Sequence, residues 1–370
     1  TERGLGGNDP DLAERHRRWR TDRTPRGSAA RGLAERLARQ VSAAGDIEDA
    51  DAGPLLAVAY PDRVAVARGA HGQFLLASGR GGQVDAASSL AASAGLVVAE
   101  LQGQARAGRI TSAIGLDRRQ LAVLAEERAV EEDVVLFDAA SGAVRARRVR
   151  RIGRAVLSES PLPDPPAALV QSALADAIRQ GGMRLLPMDK DGERLLERLR
   201  FLHISLGDPW PDLSETALME RLDEWVMAFH PDARRLSDLR PDRLRQGLLS
   251  LLPGSLARQV DTLAPSHYEA PTGSRLPLRY EPEQVVLAVR VQELFGMTRH
   301  PAIAADRVPL TLELLSPAHR PIQITQDLPG FWAGSWRDVR ADLRGRYPKH
   351  VWPEDPALAP PTARAKPRGR

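Results

Sequence analysis

The sequence predicts a multidomain α+β protein: a helical bundle remnant, an OB-like small β-barrel with an inserted helix, and a mixed α/β carboxy-terminal domain. Three observations carry that reading. At 370 residues the chain is long enough for two or three domains, each with its own core. Short alternating strands cluster between Gly53 and Ser158, whereas helical periodicity prevails beyond them. Between the two stretches, residues 159–166 include Ser160-Pro-Leu-Pro-Asp-Pro-Pro166 and read as a stiff extended linker.

In order along the chain, residues 1–52 read as a loop and two helices. Asp9 or Asp11 caps the first, with Leu12, His16 and Trp19 at helical spacing; Ala29 to Ala43 forms the second, with Leu33, Leu37 and Val41 on one stripe. Two helices cannot bury these faces alone, so further structure is expected upstream of Thr1. In residues 53–158, Leu55 to Tyr60 reads as a short helix with Pro54 in its first turn. Strands are expected at Val64–Arg68, Gln73–Ser78, Leu96–Leu101, Arg109–Ile114, Val134–Phe137 and Val144–Val149, with a helix at Asp117–Arg128 before the last two. Five or six short strands around one helix point to a barrel, whose loops and open face suit single strands.

Residues 167–356 carry helices at Ala167–Gln180, Gly192–Leu202, Ser214–Phe229 and Pro241–Leu252. Strands follow at Arg275–Tyr280 and Val285–Val291, and then a hairpin of Val308–Leu315 with Pro321–Thr325. After Asp327, a cap with Pro329 in the first turn, Trp332, Trp336, Val339 and Leu343 recur at helical spacing until Gly345 stops the helix. Residues 357–370 contain Pro360-Pro361 and four basic residues without an acid, and read as a disordered tail.

Composition excludes several classes. There is no cysteine, so disulfides and thiolate metal sites are out and a reducing compartment fits. No apolar run reaches the roughly 20 residues of a membrane span, and the amino terminus lacks the apolar segment of a signal peptide. The expectation is a cytoplasmic protein without membrane partners. The net charge of +4, with 52 basic against 48 acidic residues, favours an anionic partner only where the basic side chains cluster.

Catalytic signatures are missing. The sequence has no GxxxxGK[ST] phosphate loop, no HExxH spacing among its histidines and no GxSxG elbow. Gly79-Arg80-Gly81-Gly82 reads as a turn. The expectation is therefore no catalytic, metal or cofactor-binding residue. What remains is basic clustering. Arg145, Arg147, Arg148, Arg150 and Arg151 sit in an acid-free run; arginines on both faces of a strand leave at least one face exposed, which suits a phosphate backbone. Equally, Glu126, Glu127, Glu131, Glu132 and Asp133 just upstream can neutralise the run internally. Arg63 and Arg68 form a smaller set on the first barrel strand, with Arg80 on the next turn. In the loop after the aromatic helix, Arg344, Arg346, Tyr347, Lys349 and His350 suit gripping a phosphate and stacking a base, or else form a solvated helix terminus.

Several phrases resemble a known family: GLGGNDPDLAERHRRWR, YPDRVA, FLLASGRG, APTGSRLPLRY, VLAVRVQELFG, VPLTLELLSP, RPIQITQDLPGFW and RGRYPKHVWPEDP. They look like the carboxy-terminal part of HrpB-type bacterial ATP-dependent helicases, relatives of the DEAH-box RNA helicases. The resemblance spans the chain in order. It implies that residues 1–52 end a helical ratchet bundle, that residues 53–158 are the OB-like domain, and that residues 167–356 are the family's own carboxy-terminal domain. ATP and Mg are implied only for motor domains, whose motifs are absent here, so the chain is expected to be inactive alone. The implied partners are those motor domains and single-stranded nucleic acid, RNA before DNA, with the arginines above as contacts.

Overall fold

In a computed structural model, which describes residues 4–40, 52–103 and 108–363, the chain is mixed α and β. It divides into two units: Thr1–Leu136 with Arg145–Pro165, and Phe137–Val144 with Pro166–Arg370.

In the first unit, α1 (Leu12–Arg20) is capped by Asp11, whose carboxylate accepts from Ala13 N at 2.9 Å. α2 (Pro25–Gln40) and α3 (Ala52–Ala59) follow; Leu33 and Leu37 are about half exposed, and Val41 and Ala43 lie outside the described residues. Five strands then close a barrel in the order β1-β2-β3-β5-β4: β1 (Val64–Ala67), β2 (Gln73–Leu76), β3 (Gly81–Gln83), β4 (Gly95–Gln102) and β5 (Gly108–Leu116). β1 pairs antiparallel with both β2 and β4, and β3 pairs parallel with β5. The interior holds Ala65, Phe74, Leu76, Leu90, Leu96, Val98 and Ile110, all buried. The inward positions alternate at Phe74 and Leu76 on β2 and at Leu96 and Val98 on β4, as a closed sheet demands.

Two expectations are corrected here. Gly81-Gly82 is a barrel strand, not a turn: a Cβ on Gly82 would sit 2.8 Å from the Ile110 side chain, so the glycine is there for close approach across the barrel. Nor are the last two predicted strands part of the barrel. After α4 (Arg118–Arg128), which Asp117 and Gln120 close with a capping box, the chain forms a separate sheet in the order β6-β7-β8: β6 (Val130–Asp138), β7 (Ala143–Ile152) and β8 (Ala155–Pro161). β8 takes residues that the linker was expected to begin with; β7 and β8 pair from Ile152↔Ala155 to Arg147↔Pro161. The expected inserted helix thus follows the barrel's last strand.

Beyond Phe137–Val144, the second unit continues from Pro166 with α5 (Ala167–Gly181) and α6 (Lys190–Leu206), both close to expectation. The third predicted helix is broken into α7 (Glu215–Glu220) and α8 (Leu222–Trp225), with Ser214 as its cap. Leu218, Leu222, Trp225 and Val226 are nonetheless all fully buried. The Trp225 indole donates to Leu218 O at 2.9 Å, satisfying its polar atom inside the core. α9 (Pro241–Ser250), α10 (Gly254–Ala257) and α11 (Val260–Leu263) lead into a five-stranded sheet of order β15-β14-β11-β10-β9. Its strands are β9 (His267–Glu269), β10 (Arg275–Tyr280), β11 (Val285–Arg290), β14 (Thr311–Leu315) and β15 (Pro321–Thr325), and a two-stranded ribbon of β12 (Ala302–Ile303) and β13 (Val308–Pro309) lies between β11 and β14 in the chain.

The predicted hairpin is present, Leu312 facing Thr325. The aromatic helix is two helices, α12 (Leu328–Ala333) and α13 (Trp336–Arg346), which break at Gly334 and run through Gly345. Trp332, Trp336 and Leu343 are buried, and the two indoles meet edge to face at 5.4 Å. This is core packing, as their spacing predicts. The supposed tail starts later than expected: Ala357 and Ala359 pack on the core and Thr362 N donates to Gln292 O at 3.0 Å. Residues 364–370 lie outside the described residues.

One buried acid gives this unit a pH dependence. Glu293 is 2% exposed. Burial alone would raise its pKa, but hydrogen bonds from Ser274, Thr272 and Arg290 outweigh that and hold it below the ordinary glutamate value. The Thr272 hydroxyl and Arg290 Nε each donate at 2.9 Å. A lowered folded-state pKa stabilises above the unfolded value, and that contribution is lost as pH falls through the folded one. The Glu293→Gln variant is therefore expected to be less stable at neutral pH and flatter in its urea midpoint below about pH 5. Parallel pH profiles for the two proteins would remove Glu293 from this role.

Candidate functional site

The thirteen side chains singled out from the sequence fall into four places. Arg63 and Arg80 come together. They line one concavity of about 430 Å³ on the barrel, with Ser78, Gln102, Asp62 and Glu100. Arg63 sits in the short 3-10 turn that Pro61 opens before β1. Its guanidinium donates to Ala99 O and lies 5.2 Å from the centroid of the Tyr60 ring. Arg80 is exposed and reaches Gly103 O at 3.4 Å. Among the described residues neither arginine has an ion pair. Because Asp62 and Glu100 share the concavity, its formal charge cancels. It offers two forked donors at short range, not a long-range field.

Arg68 is elsewhere. It and Arg63 bracket β1, roughly 16 Å apart along the strand at ~3.3 Å per residue. Arg68 lines a larger groove of about 1110 Å³ with His71, Gln73, Arg118 and Gln120. Two acids there, Asp11 and Asp117, are engaged in capping α1 and α4. Arg118 was not singled out from the sequence: at the first position of a helix it reads as ordinary surface, and only the fold brings it into one groove with Arg68.

The arginine-rich strand is β7, outside the barrel, and its cations meet carboxylates. Arg147 pairs with Glu159 at 3.0 Å, Arg148 with Asp133 at 2.8 Å, and Arg151 with Glu132 at 2.7 Å. Arg148 holds the Asp133 carboxyl below its ordinary range. Arg145 is exposed and Arg150 half-buried. The acids come from both flanking strands. Glu132 and Asp133 are visible upstream in the sequence; Glu159 is not, because residues 159–166 read as a linker.

The loop after α13 lies in the second unit and is strapped down. Its carbonyls accept from side chains: Tyr347 O from Trp352, Trp352 O from Arg340, Pro353 O from Trp336 and Val351 O from Gln292, at 2.9–3.3 Å. The Tyr347 ring packs on the core and its hydroxyl faces Ser316. Burial first, and the Arg290 guanidinium second, push His350 below the ordinary histidine value, so it is a neutral ring at neutral pH. Arg346 pairs with Asp342 at 3.0 Å. Arg344 and Lys349 alone keep exposed cations with no ion pair among the described residues. Of the five residues, two keep surface cations, because this segment's carbonyls are tied to α13 and to Gln292 just after β11.

Among the described residues no cluster of three or more acids and histidines is spaced to hold a metal, and no helix is long and apolar enough to cross a membrane.

Comparison with known proteins bears on the whole chain. A family described as "ATP-dependent helicase C-terminal" matches residues 225–356, which run from Trp225 to the end of the strap. Another, "ATP-dependent RNA helicase HrpB, connector region", matches residues 128–162, which contain β6, β7 and β8. The chain is 38% identical over 328 residues to the ATP-dependent RNA helicase HrpB of Escherichia coli (strain K12), covering 87% of this chain and 40% of that protein. The crystal structure of the E. coli DExH-box NTPase HrpB is 35% identical with a TM-score of 0.55, covering 97% of this chain and 44% of that one. The chain therefore spans less than half the length of these relatives. On these matches it belongs to the HrpB family of ATP-dependent helicases, corresponding to a carboxy-terminal part of such a protein.

Proposed function

We propose that this chain is the accessory, nucleic-acid-binding portion of an ATP-dependent RNA helicase, with motor domains as its partner and single-stranded RNA as its ligand. In this reading α1 and α2 end a helical bundle, the barrel is OB-like, β6–β8 connect, and the domain from about residue 167 belongs to the family. ATP and Mg act only through the motor. The strand order β1-β2-β3-β5-β4 supports the OB-like assignment. The convergence of Arg63 and Arg80 on one barrel concavity carries the binding proposal. Both guanidinium groups are partnered by carbonyls, so their charge is not spent on a carboxylate. Arg68 with Arg118 forms a second patch; Arg344 and Lys349 are secondary contacts.

The test is anisotropy titration of a single-stranded oligoribonucleotide against the chain over a range of salt. The Arg63→Ala/Arg80→Ala double variant is expected to bind about tenfold more weakly. Removing one arginine–phosphate pairing lowers the logarithmic salt slope by about 0.7, so the double variant should lower it by about 1.4. The Arg147→Ala/Arg148→Ala variant should change neither by comparable amounts. A barrel variant that folds, checked by thermal unfolding, and binds with unchanged affinity and slope would remove the concavity from the site.

A second reading has its own observation. The ion pairs on β6–β8 favour a structural or protein-interaction module that docks on the motor or recruits a partner, because interleaved charges neutralise the face that a phosphate backbone would need. Wild-type chain that binds no RNA at low salt would favour it.

A further inference from the structure

The first unit is poor in aromatic side chains. Across its span the sequence has just Trp19, Tyr60 and Phe74. Phe74 is 3% exposed inside the barrel, and Trp19 is half-buried against the α1–α2 groove. Tyr60 is different. It follows α3 directly and is 47% exposed, a level at which a ring of this size contributes little to a core.

Its neighbour explains how such a ring is held. The Arg63 guanidinium lies 5.2 Å from the Tyr60 centroid while donating to Ala99 O on β4. Backbone bonds fix the spacing of the two residues: Tyr60 N donates to Leu56 O at 2.8 Å and Arg63 N to Tyr60 O at 3.0 Å. Arg63 therefore ties the ring to the barrel and also lines the concavity with Arg80. An exposed ring, backed by a guanidinium that itself lines the concavity, combines the two elements that sequence-tolerant single-strand binders use: a stacking face and a phosphate-binding cation.

We propose that Tyr60 is a stacking platform for one unpaired base of a single strand, with Arg63 bracing the ring and serving the adjoining phosphate. The proposal rests on the single-strand reading above and adds to it the face that meets the base. Tyr60 was not among the residues singled out from the sequence, because an isolated tyrosine after a short apolar helix reads as core.

The experiment compares two ligands of about ten nucleotides, within the range of one small barrel's site: oligouridylate, and an abasic oligomer with the same sugar-phosphate chain. Both are titrated by anisotropy against the full 370-residue chain and its Tyr60→Phe, Tyr60→Leu and Tyr60→Ala variants. Tyr60→Ala and Tyr60→Leu are expected to weaken oligouridylate binding by about 5- to 100-fold, the effect of removing one stacked base. The salt slope and the affinity for the abasic oligomer should stay unchanged. Tyr60→Phe should bind oligouridylate like the wild type.

Equal losses on both ligands overturn the proposal, since the ring would then serve only to place Arg63. Unchanged oligouridylate affinity in Tyr60→Leu also overturns it. Wild-type chain that binds neither ligand defeats the single-strand reading itself. Abasic binding retained without base dependence defeats the stacking platform alone.

Discussion

Replacing Gly247 with alanine is expected to destabilise the second unit by about 3 kcal/mol or more, at the upper end of overpacking effects. Helix propensity alone predicts the opposite, because alanine inside a helix is favoured over glycine by about 1 kcal/mol. Packing decides the sign. A Cβ on Gly247 would lie 1.8 Å from Trp225 O and 2.8 Å from Trp225 C, a clash with backbone that no side-chain rotation relieves. α9 meets α8 at this point, with Trp225, Leu244 and Leu248 fully buried around it, so separating the helices would open the core. Urea unfolding followed by tryptophan fluorescence reads this unit, since Trp210, Trp225, Trp332, Trp336 and Trp352 all lie in it. An unchanged or raised midpoint would show that α9 does not pack on α8 as described.

Truncating Arg198 should cost about 3 kcal/mol. Arg198 is 9% exposed on α6, and its guanidinium donates to Ala264 O at 2.5 Å, Val260 O at 3.4 Å and Asp261 Oδ1 at 2.5 Å. The acid contributes little: its side chain is 91% exposed, and such pairs are worth about 1 kcal/mol or less. The Ala264 carbonyl just past the end of α11 matters more, because leaving a buried acceptor unmet costs about 1–3 kcal/mol, whereas Val260 O also accepts from Ala264 N at 2.9 Å. A graded series follows. Asp261→Ala should cost under about 1 kcal/mol. Arg198→Met keeps the packed stem and removes the donors, and should fall between that and Arg198→Ala. If Asp261→Ala proved as damaging as Arg198→Ala, the ion pair and not the carbonyl bonds would be the source of the stability.

Both sites show why the sequence is silent on some of its own constraints. Gly247 sits in a helix-forming run and looks like a tolerated defect; its reason is a backbone twenty-two residues away. Arg198 reads as a solvent-facing member of α6, and its partners lie more than sixty residues on.

Local patterns were legible. The cap at Asp327, and the one at Asp11 among the two candidates Asp9 and Asp11, follow from residue type beside an apolar repeat, and in each the side chain accepts a backbone N–H of the first turn. The alternation in β10, β11, β14 and β15 located those strands, and the spacing of Trp332, Trp336 and Leu343 marked a buried face. The family was legible from whole phrases, as the 38% identity to the E. coli relative bears out.

By itself, then, the sequence determined the local elements, the mixed α and β class and the family, because capping, alternation and helical period act within a few residues. Tertiary structure alone decided which strands close the barrel, and hence which arginines face open space. Gly81–Gln83 completes the closure by parallel pairing with β5, and β8 brings Glu159 against Arg147. Those pairings depend on which surfaces meet after the chain has turned back on itself, and strand spacing carries no record of that. The same reason moved the candidate site from an acid-free arginine run on β7 to two arginines and a tyrosine on the barrel: a charge's availability is set by its neighbours in space.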